Sequence, residues 1–356
     1  MEYVVHISVD GLKSSAITRL GQEKLPNIFK IRSEGVFTDN ARTDYFATIT
    51  LPNHTCMFTG RPSEDISTIA PNGKVYQGHS TIFNSDADGN IHKLNQEYVY
   101  TVFDILKGKN ENGIVVNIPK TTSMYVGKSK FNFIDKSYND NTGIKGPDGI
   151  DEIDRFVISG EFIRAQNDGN IVMNTNGVEK SVPLGTCIPI INQFLTDIQN
   201  NNITNYSFIH FNGTDRTGHH YGWDTQEYDE AIAAIDHDIG KILNALASIP
   251  KPTMLIVTAD HGGGGSEPRN HGDRDHPENF TIPFYVWVNT GIQDKGTTDL
   301  YMRNPTRTSP HPSQNPQYES SEVPIRNGDV ANLVLSSFGL SSIPGSFIGK
   351  DMDFLI

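Results

Sequence analysis

The chain has 356 residues, more than one average domain but within reach of a single large α/β domain with an insertion. Hydrophobic residues make up 36% of it and charged residues 20%, so a sizeable core is possible and a disordered chain is excluded. The formal net charge of −13 argues against electrostatic binding to a nucleic-acid polymer or an anionic membrane. A phosphate substrate would therefore need local positive charge, which a bound metal could supply.

The two cysteines, Cys56 and Cys187, allow one disulfide bond but not a disulfide scaffold. Cys56 stands in an apolar stretch, which favours a buried thiol. No apolar run approaches the roughly 18 residues of a membrane span. No signal-peptide pattern precedes the first strand-like segment, so we expect a cytoplasmic protein or an exported one whose signal has been removed.

Short segments of almost continuous apolar character predict strands that are covered on both faces. These segments are Tyr3–Val9, Ser207–Phe211, Met254–Thr258 and Ile282–Val288. The clearest helix is Thr225–Ala247, whose apolar residues recur at spacings of three and four and whose start carries an Asp224-x-x-Glu227 capping signal. Alternation of strands with amphipathic helices predicts an α/β fold with a mostly parallel central sheet and helices on both faces. Ligands of such sheets bind at the carboxyl ends of the strands.

The stretch 85–180 differs from the rest because it is rich in Asn, Asp, Gly and Lys and has weaker periodicity. We predict that it forms a cap inserted into a core made of residues 1–84 and 181–356. A second polar stretch, 296–324, is predicted to be a long surface excursion.

Carboxylates and imidazoles cluster at the predicted strand ends and in the loops near them. The segments are Ser8-Val9-Asp10-Gly11, Asp215-Arg216-Thr217-Gly218-His219, Ala259-Asp260-His261-Gly262 and Asn270-His271-Gly272. Asp oxygen and His nitrogen are suitable ligands for zinc or a similar divalent ion. A single Asp at a strand end is more often a cap or turn residue, so it is the set that indicates a metal centre. We expect Asp215 and His219 to reach one ion through a short loop, and His276 competes with His271 for the last position.

The segment TLPNHTCMFTG, which starts at Thr50, has the pattern of a helix start. Pro52 suits a first helical turn, which places Thr50 at the N-cap, facing free backbone N–H groups. That is a natural phosphate site, although a plain capping threonine has the same pattern. The hydroxyl would become a nucleophile if a metal ion activated it.

Taken together and in this order, SVDGL, TLPNHTCMFTG, DRTGH and TADHGG resemble motifs of the alkaline phosphatase superfamily. Within it they are most similar to type I phosphodiesterases and nucleotide pyrophosphatases. The resemblance covers both ends and the core of the chain, and it is weak over 85–180 and 296–324. It implies two zinc-like ions, one held by Asp215, His219 and His271, the other by Asp10, Asp260 and His261 with the oxygen of Thr50.

The resemblance also implies a reaction, the hydrolysis of a small phosphate ester through a phosphothreonine intermediate on Thr50. Phosphodiesters or nucleotide pyrophosphate bonds are the favoured substrates. Relatives hold a phosphoryl oxygen with an Asn side chain, a role that the resemblance assigns to Asn84. An added loop over residues 61–76 departs from the family pattern here, and a simple turn residue is the alternative for Asn84.

Other activities stay open at this stage. Lys128 and Lys130 follow a strand-like segment, where some threonine-using phosphomonoesterases of the superfamily place a Lys-x-Arg pair, and a solvated surface pair is the alternative. Sulfatases are less expected because they need a Cys or Ser in a different motif. Phosphoglycerate mutases are also less expected because they have Ser in the position of Thr50. A non-catalytic metal-binding protein is a remote alternative, against which the intact Thr50 argues.

Overall fold

The computed structural model describes most of the chain as helices and strands with short connections. The described residues are 1–69, 75–82, 84, 91, 95, 98–108, 118–127, 131, 153–158, 161–165, 170–175, 178–183, 188–292 and 296–356. The strands are β1 (Tyr3–Val9), β2 (Val36–Arg42), β3 (Ile66–Ile69), β4 (Val75–Tyr76), β5 (Thr122–Val126), β6 (Arg155–Ile158), β7 (Glu161–Ala165), β8 (Asn170–Thr175), β9 (Val178–Pro183), β10 (Tyr206–Phe211), β11 (Thr253–Thr258) and β12 (Thr281–Val288). The helices are α1 (Ser14–Lys24), α2 (Pro26–Glu34), α3 (Thr50–Thr59), α4 (Val102–Leu106), α5 (Ile188–Gln199), α6 (Gly213–Tyr221), α7 (Gln226–Ala247), α8 (Pro277–Phe280), α9 (Leu300–Arg303) and α10 (Asp329–Ser337).

The main sheet has the strand order β2-β12-β11-β1-β10-β5-β6. Strand β1 pairs in parallel with both β10 and β11, and β5 pairs in parallel with β10 and β6. Strand β12 runs antiparallel to β11 and β2. Every position of β10 and β11 is buried, so both faces of the sheet are covered. The predicted α/β fold with a mostly parallel sheet between helices is confirmed.

The long helix α7 packs its apolar stripe onto the core. Tyr228, Ile232 and Ile239 are fully buried, and complete burial of such a side chain stabilises the fold by about 1.5–3 kcal/mol. The predicted helix cap at Asp224 is wrong, because the hydroxyl of Thr225 accepts the N–H of Tyr228 and so forms the N-cap. Asp224 instead accepts a hydrogen bond from Lys13 Nζ at 2.7 Å, which links the segment before α7 to the segment before α1.

The stretch 85–180 contributes to the main sheet. Strand β5 is buried at all positions and pairs with β10 and β6, so this part of the predicted cap lies in the core. Its segment TSMYV is buried like the other central strands, although it begins with two polar residues and polar sequence surrounds it. Strands β7, β8 and β9 form an antiparallel sheet of their own. The division into a core and a cap stays a prediction for that smaller sheet.

The structure also bears on the cysteines and on membrane insertion. The expected buried, free thiol at Cys56 is confirmed, and Cys187 lies outside the described residues. Among the helices of the described ranges, none combines the length and the apolar character needed to cross a bilayer.

Candidate active site

The strand order brings the predicted metal ligands to one edge of the sheet. Strands β11, β1 and β10 are parallel neighbours, so their carboxyl ends lie side by side. Asp10 directly follows β1, and Asp260 stands two residues after β11. Asp215 lies in the first turn of α6, which begins two residues after β10. Three carboxylates that are far apart in sequence thus meet where open α/β sheets bind their ligands.

The first cluster consists of Asp215, His219 and His271. Nε2 of His219 lies 3.3 Å from Asp215 Oδ1 and 3.2 Å from Nε2 of His271. Nε2 of His271 lies 3.7 Å from the same carboxylate oxygen. Ligands in a tetrahedron around zinc, each about 2.0 Å from the ion, are separated by about 3.3 Å, so the three atoms suit one ion. Asp215 and His219 are one turn apart on α6, and the predicted short loop between them is wrong.

The second cluster consists of Asp10, Asp260 and His261, all fully buried. Nε2 of His261 lies 3.4 Å from Asp10 Oδ1 and 3.3 Å from Asp260 Oδ2. The backbone N–H of Gly11 donates to Asp260 Oδ1 at 3.1 Å and so holds the two strand ends together. The structure therefore brings all six predicted Asp and His residues together, in the two groups that the sequence motifs implied.

Backbone carbonyls fix the orientation of the three histidines. Nδ1 of His219 donates to the carbonyl oxygen of Arg269 at 3.0 Å. Nδ1 of His261 donates to that of Gly262 at 2.8 Å, and Nδ1 of His271 donates to that of Thr48 at 2.6 Å. A carbonyl oxygen can only accept, so Nδ1 carries the proton in each ring. In the neutral imidazole the lone pair then lies on Nε2, which faces the cluster, and this is the tautomer that ligates a metal.

The pKa shifts of the side chains in the two clusters indicate that a bound cation would stabilise them. Burial, followed by the charges of Asp10 and Asp215, raises the pKa of Asp260 well above its usual value. Burial lowers the pKa of His261 to about 3 and also lowers the pKa of His271, so these rings are neutral. The hydrogen bond to Asp215 raises the pKa of His219. Buried carboxylates beside neutral imidazole lone pairs are stable when a cation lies between them, and the two donor sets fit divalent metal ions.

Thr50 lies next to the second cluster, at the N-terminus of α3. It is the first helical residue, one position further into the helix than the predicted N-cap. Its side chain is buried, and Oγ1 lies 3.4 Å from Nε2 of His261. The side-chain oxygen of Asn84 accepts the N–H of Leu51 at 3.2 Å, which places Asn84 beside Thr50 at the first turn.

The sequence also suggested His276, Lys128 and Lys130 as site residues. His276 is the N-cap of α8, where Nδ1 accepts the N–H of Glu278 at 3.3 Å, so it does not compete with His271. Lys128 and Lys130 lie outside the described residues.

Sequence reasoning missed two buried histidines that support the second cluster. Nε2 of His210, within β10, donates to Asp10 Oδ2 at 3.0 Å. Nδ1 of His54 donates to the carbonyl oxygen of Thr50 at 2.7 Å, and its Nε2 lies 2.9 Å from the Ser8 hydroxyl. A histidine within an otherwise apolar strand or helix face is the signal that could have identified them, because a buried polar ring requires a partner.

Trp223 packs beneath both clusters. Its Nε1 donates to the carbonyl oxygen of Gly11 at 2.9 Å, and its ring centroid lies 5.2 Å from that of His219. A Cβ atom at Gly218 would lie 2.4 Å from Cε2 of the indole, and one at Gly263 would lie 2.1 Å from the same atom. One indole therefore contacts the three segments that follow β1, β10 and β11, and glycine provides the necessary space.

Comparison with known proteins identifies a family from the sequence and a shared fold from solved structures. A model of type I phosphodiesterase / nucleotide pyrophosphatase matches residues 4–282. GPI ethanolamine phosphate transferase 1 of Yarrowia lipolytica is 35% identical over 157 residues, which are 40% of this chain and 15% of that protein. The soluble domain of lipooligosaccharide phosphoethanolamine transferase A from Neisseria meningitidis superposes with a TM-score of 0.54 at 14% identity, covering 99% of this chain and 91% of that one. A protein in the alkaline phosphatase superfamily from Vibrio parahaemolyticus gives 0.53 at 16% identity, covering 99% and 69%.

The two solved structures share the fold, and the sequence model extends through the Asp and His clusters as far as Ile282. The chain spans only a small part of the transferase from Yarrowia, so that protein's whole activity does not transfer with the match. The resemblance found in the motifs is confirmed, and the family match supports phosphoester-related catalysis. This chain belongs to the type I phosphodiesterase / nucleotide pyrophosphatase family.

Proposed function

We propose that this protein cleaves phosphodiesters or nucleotide pyrophosphate bonds, with Thr50 as the nucleophile. The observation that carries the proposal is the position of Thr50 Oγ1, buried and 3.4 Å from the His261 donor of one cluster. A threonine that only caps a helix does not need a set of buried carboxylates and imidazoles around it. The family match supports phosphoester chemistry at this position.

Two divalent metal ions, most suitably zinc, would complete the site. Asp215, His219 and His271 would hold one, and Asp10, Asp260 and His261 would hold the other, next to Thr50. When bound, such ions supply the positive charge that activates a hydroxyl and stabilises the oxygens of a phosphoryl group. If the protein bound metal without catalysis, the position of Thr50 beside the His261 donor would have no explanation.

The chain's own residues position the reacting groups. Helix α3 begins at Thr50, so the positive end of its dipole lies at the proposed phosphate position and favours negative charge there. Asn84 lies at the same turn, where its amide could bind a non-bridging oxygen. The Thr50 hydroxyl gives up its proton as its oxygen forms a bond to phosphorus, while the bond to the leaving oxygen breaks and the leaving group takes up a proton. Thr50 then carries a phosphodiester, or a phosphomonoester where the substrate is a monoester. Water then displaces the threonine oxygen, which recovers its proton.

A diester is favoured over a monoester because Asn84 is a neutral donor. The second negative charge of a monoester needs additional cationic donors. Lys128 and Lys130 are the candidates for that role. If they bind the second charge, the alternative function is that of a phosphomonoesterase.

Group transfer is a second candidate, supported by the 35% identity to an ethanolamine phosphate transferase over 157 residues. The first step would be the same. In the second step the hydroxyl of an acceptor alcohol, instead of water, would displace the Thr50 oxygen. Hydrolase and transferase therefore differ only in which nucleophile reaches the phosphothreonine.

Rapid-quench turnover of bis-p-nitrophenyl phosphate tests this function. We expect a burst of p-nitrophenol, phosphate label on the peptide that contains Thr50, and release of p-nitrophenyl phosphate. Thr50→Ala should show neither burst nor label. An acceptor alcohol that diverts the product into a new diester would establish transfer, whereas turnover without any label on Thr50 would remove it as the nucleophile.

A further inference from the structure

His271, the third donor of the Asp215 cluster, lies in a loop that is otherwise exposed. Every other residue between positions 266 and 275 is exposed, whereas His271 is only 6% exposed. The side-chain oxygen of Asn270 accepts the backbone N–H of His271 at 2.7 Å, a contact within the loop itself. Fixing one ring of such a loop at a metal costs conformational entropy. A contact with a more rigid part of the fold would reduce that cost and raise the affinity for the ion.

Thr48 provides this contact through two hydrogen bonds to His271. Nδ1 of the imidazole donates to the carbonyl oxygen of Thr48 at 2.6 Å, and the hydroxyl of Thr48 donates to the carbonyl oxygen of His271. The two residues are 223 positions apart in the sequence, and Thr48 is fully buried. The first bond orients the ring, and the second holds the backbone that carries the ring. His261 differs, because its Nδ1 bonds to Gly262, the next residue in the chain.

The segment 47–49 is itself held from the opposite side. The side-chain amide of Asn53, which is fully buried in α3, donates to the carbonyl oxygens of Ala47 and Ile49 at 2.8 and 3.0 Å. The carbonyl between them, that of Thr48, bonds to His271 instead. Such alternation is typical of extended backbone, and Ile49 is extended with φ −126° and ψ 146°. The segment is thus fixed between α3 and the loop of His271.

His271 also contacts the second cluster. Its ring stacks on that of His261, with the centroids 3.7 Å apart and the planes 11° apart. Nε2 of His261 lies 3.4 Å from Oγ1 of Thr50. Thr48 therefore reaches Thr50 by two routes, along the chain through Ile49 and through space across the two imidazoles. A displacement of Thr48 would move a metal donor and the proposed nucleophile together.

We propose that Thr48 is a positioning residue, which holds His271 in the geometry of a metal donor and fixes Thr50, two residues further along the chain, for attack. Thr48 contacts neither the ion nor the substrate, and it acts through His271 and the segment 47–49. The inference deepens the proposed function and rests on it in one respect, the binding of a divalent ion at the Asp215 cluster. Its effect on metal binding does not depend on which residue is the nucleophile.

Calorimetric zinc titration of the metal-free protein tests the role of Thr48 without any turnover. We expect Thr48→Val, which keeps the shape of the side chain and loses the hydroxyl, to weaken zinc binding at the Asp215 cluster by about 10–100-fold. Thr48→Ser keeps the hydroxyl and should retain the affinity. Thr55→Val is the matched control and should also retain it, since Thr55 is fully buried and its hydroxyl donates to the Leu51 carbonyl within α3 at 2.8 Å. His271→Ala identifies the part of the titration that belongs to this cluster.

Unchanged zinc affinity in Thr48→Val would overturn the proposal. An equal loss of affinity in Thr48→Val and Thr55→Val would also overturn it, because the effect would then be one of general packing. If Thr48→Val does not fold, Thr48→Ala removes the same donor without placing a methyl group against the His271 carbonyl. The alanine variant is judged against Thr55→Val by the same comparison.

Diester kinetics at saturating zinc test the part of the proposal that concerns Thr50. Because Thr48 does not contact the substrate, Thr48→Val should lower kcat by up to about 100-fold and leave KM nearly unchanged. An unchanged kcat, or a change in KM alone, would overturn this part. Thr48→Ser should again resemble the unchanged protein.

The two readouts separate this inference from the proposed function. If the unchanged protein carries no phosphate label on Thr50 and its zinc affinity still depends on the Thr48 hydroxyl, the nucleophile is wrong and the role of Thr48 toward His271 stands. If Thr50 is labelled and zinc affinity does not depend on that hydroxyl, the proposed function stands and the role of Thr48 is wrong.

Discussion

Nε2 of His210 lies 3.0 Å from Asp10 Oδ2, and both side chains are fully buried. The other oxygen of Asp10 faces His261 Nε2 at 3.4 Å. The hydrogen bond therefore selects which carboxylate oxygen is directed at the cluster. Such partners of metal ligands orient the ligand and raise its affinity for the ion.

His210→Phe should weaken metal binding at the Asp10 cluster by about 10–100-fold, because the ring volume stays and the donor is lost. Calorimetric zinc titration of the metal-free protein measures this without reference to turnover. His6→Phe is the matched control, since His6 is another fully buried histidine whose Nδ1 lies 3.1 Å from the Tyr206 hydroxyl. An equal loss of affinity in both variants would mean that His210 acts only through general packing.

Thr50→Ala should lower turnover of a diester by several orders of magnitude, because no other side chain can take over a covalent step. Thr50→Ser keeps the hydroxyl and should retain much of the activity. Metal content and melting temperature should stay close to those of the unchanged protein in both cases. Near-normal kcat in the alanine variant would exclude Thr50 from the reaction.

His271→Ala should abolish metal binding at the Asp215 cluster, because two protein donors do not hold zinc tightly. His276→Ala, five residues further along the same loop, should keep the metal and lose only a helix cap. Metal analysis of both purified variants, together with turnover before and after chelation and zinc addition, gives the answer. Retention of two metals by His271→Ala would mean that a different residue supplies the third donor.

A diester should be cleaved with a higher kcat/KM than its matched monoester. If Lys128 binds the additional charge of a monoester, Lys128→Ala should damage only the monoester reaction, since charge-assisted bonds are about twice as strong as neutral ones. A lysine on the surface would leave both reactions unchanged. A preference of the unchanged protein for the monoester, lost in Lys128→Ala, would make this protein a phosphomonoesterase.

Gly263→Ala should destabilise the fold by about 1–3 kcal/mol, because the added methyl group would lie 2.1 Å from the indole of Trp223. The strain falls on the loop that follows His261, so metal affinity should decrease as well. Gly272→Ala is the control, since its added methyl group meets no atom nearer than 3.5 Å. Denaturant unfolding of both variants checks the prediction, and equal stability of the two would contradict the packing role of Trp223.

The sequence predicts the central strands and the metal donors because both depend on short segments. Tyr3–Val9 is apolar at nearly every position, and the structure has the strand with the same bounds. Asp10 and Asp260 stand at strand ends, where a parallel sheet gathers its ligands whatever their distance along the chain. The grouping of the six donors into two sets came from the resemblance to the family, and the structure brings the same two sets together.

Other features depend on contacts that no local pattern contains. His210 and Asp10 are separated by 200 residues, so the partner of the buried imidazole becomes visible only in the folded sheet. Strand β5 has only three apolar residues, Met124 to Val126, within polar sequence, which concealed its place in the core. The start of α7 was misplaced because Asp224 and Thr225 are both good caps, and the choice between them depends on Lys13, which binds Asp224.

Trp223 gives this protein a built-in optical signal. The chain has two tryptophans, and Trp287 lies on β12, where its Nε1 donates to Glu34. The indole of Trp223 lies 5.2 Å from the ring of His219 and 5.8 Å from that of His271. A doubly charged ion that binds at these imidazoles would change the electric field at Trp223, while the surroundings of Trp287 would stay the same. Intrinsic emission can therefore follow loading of the Asp215 cluster in real time, with Trp287 as an internal reference.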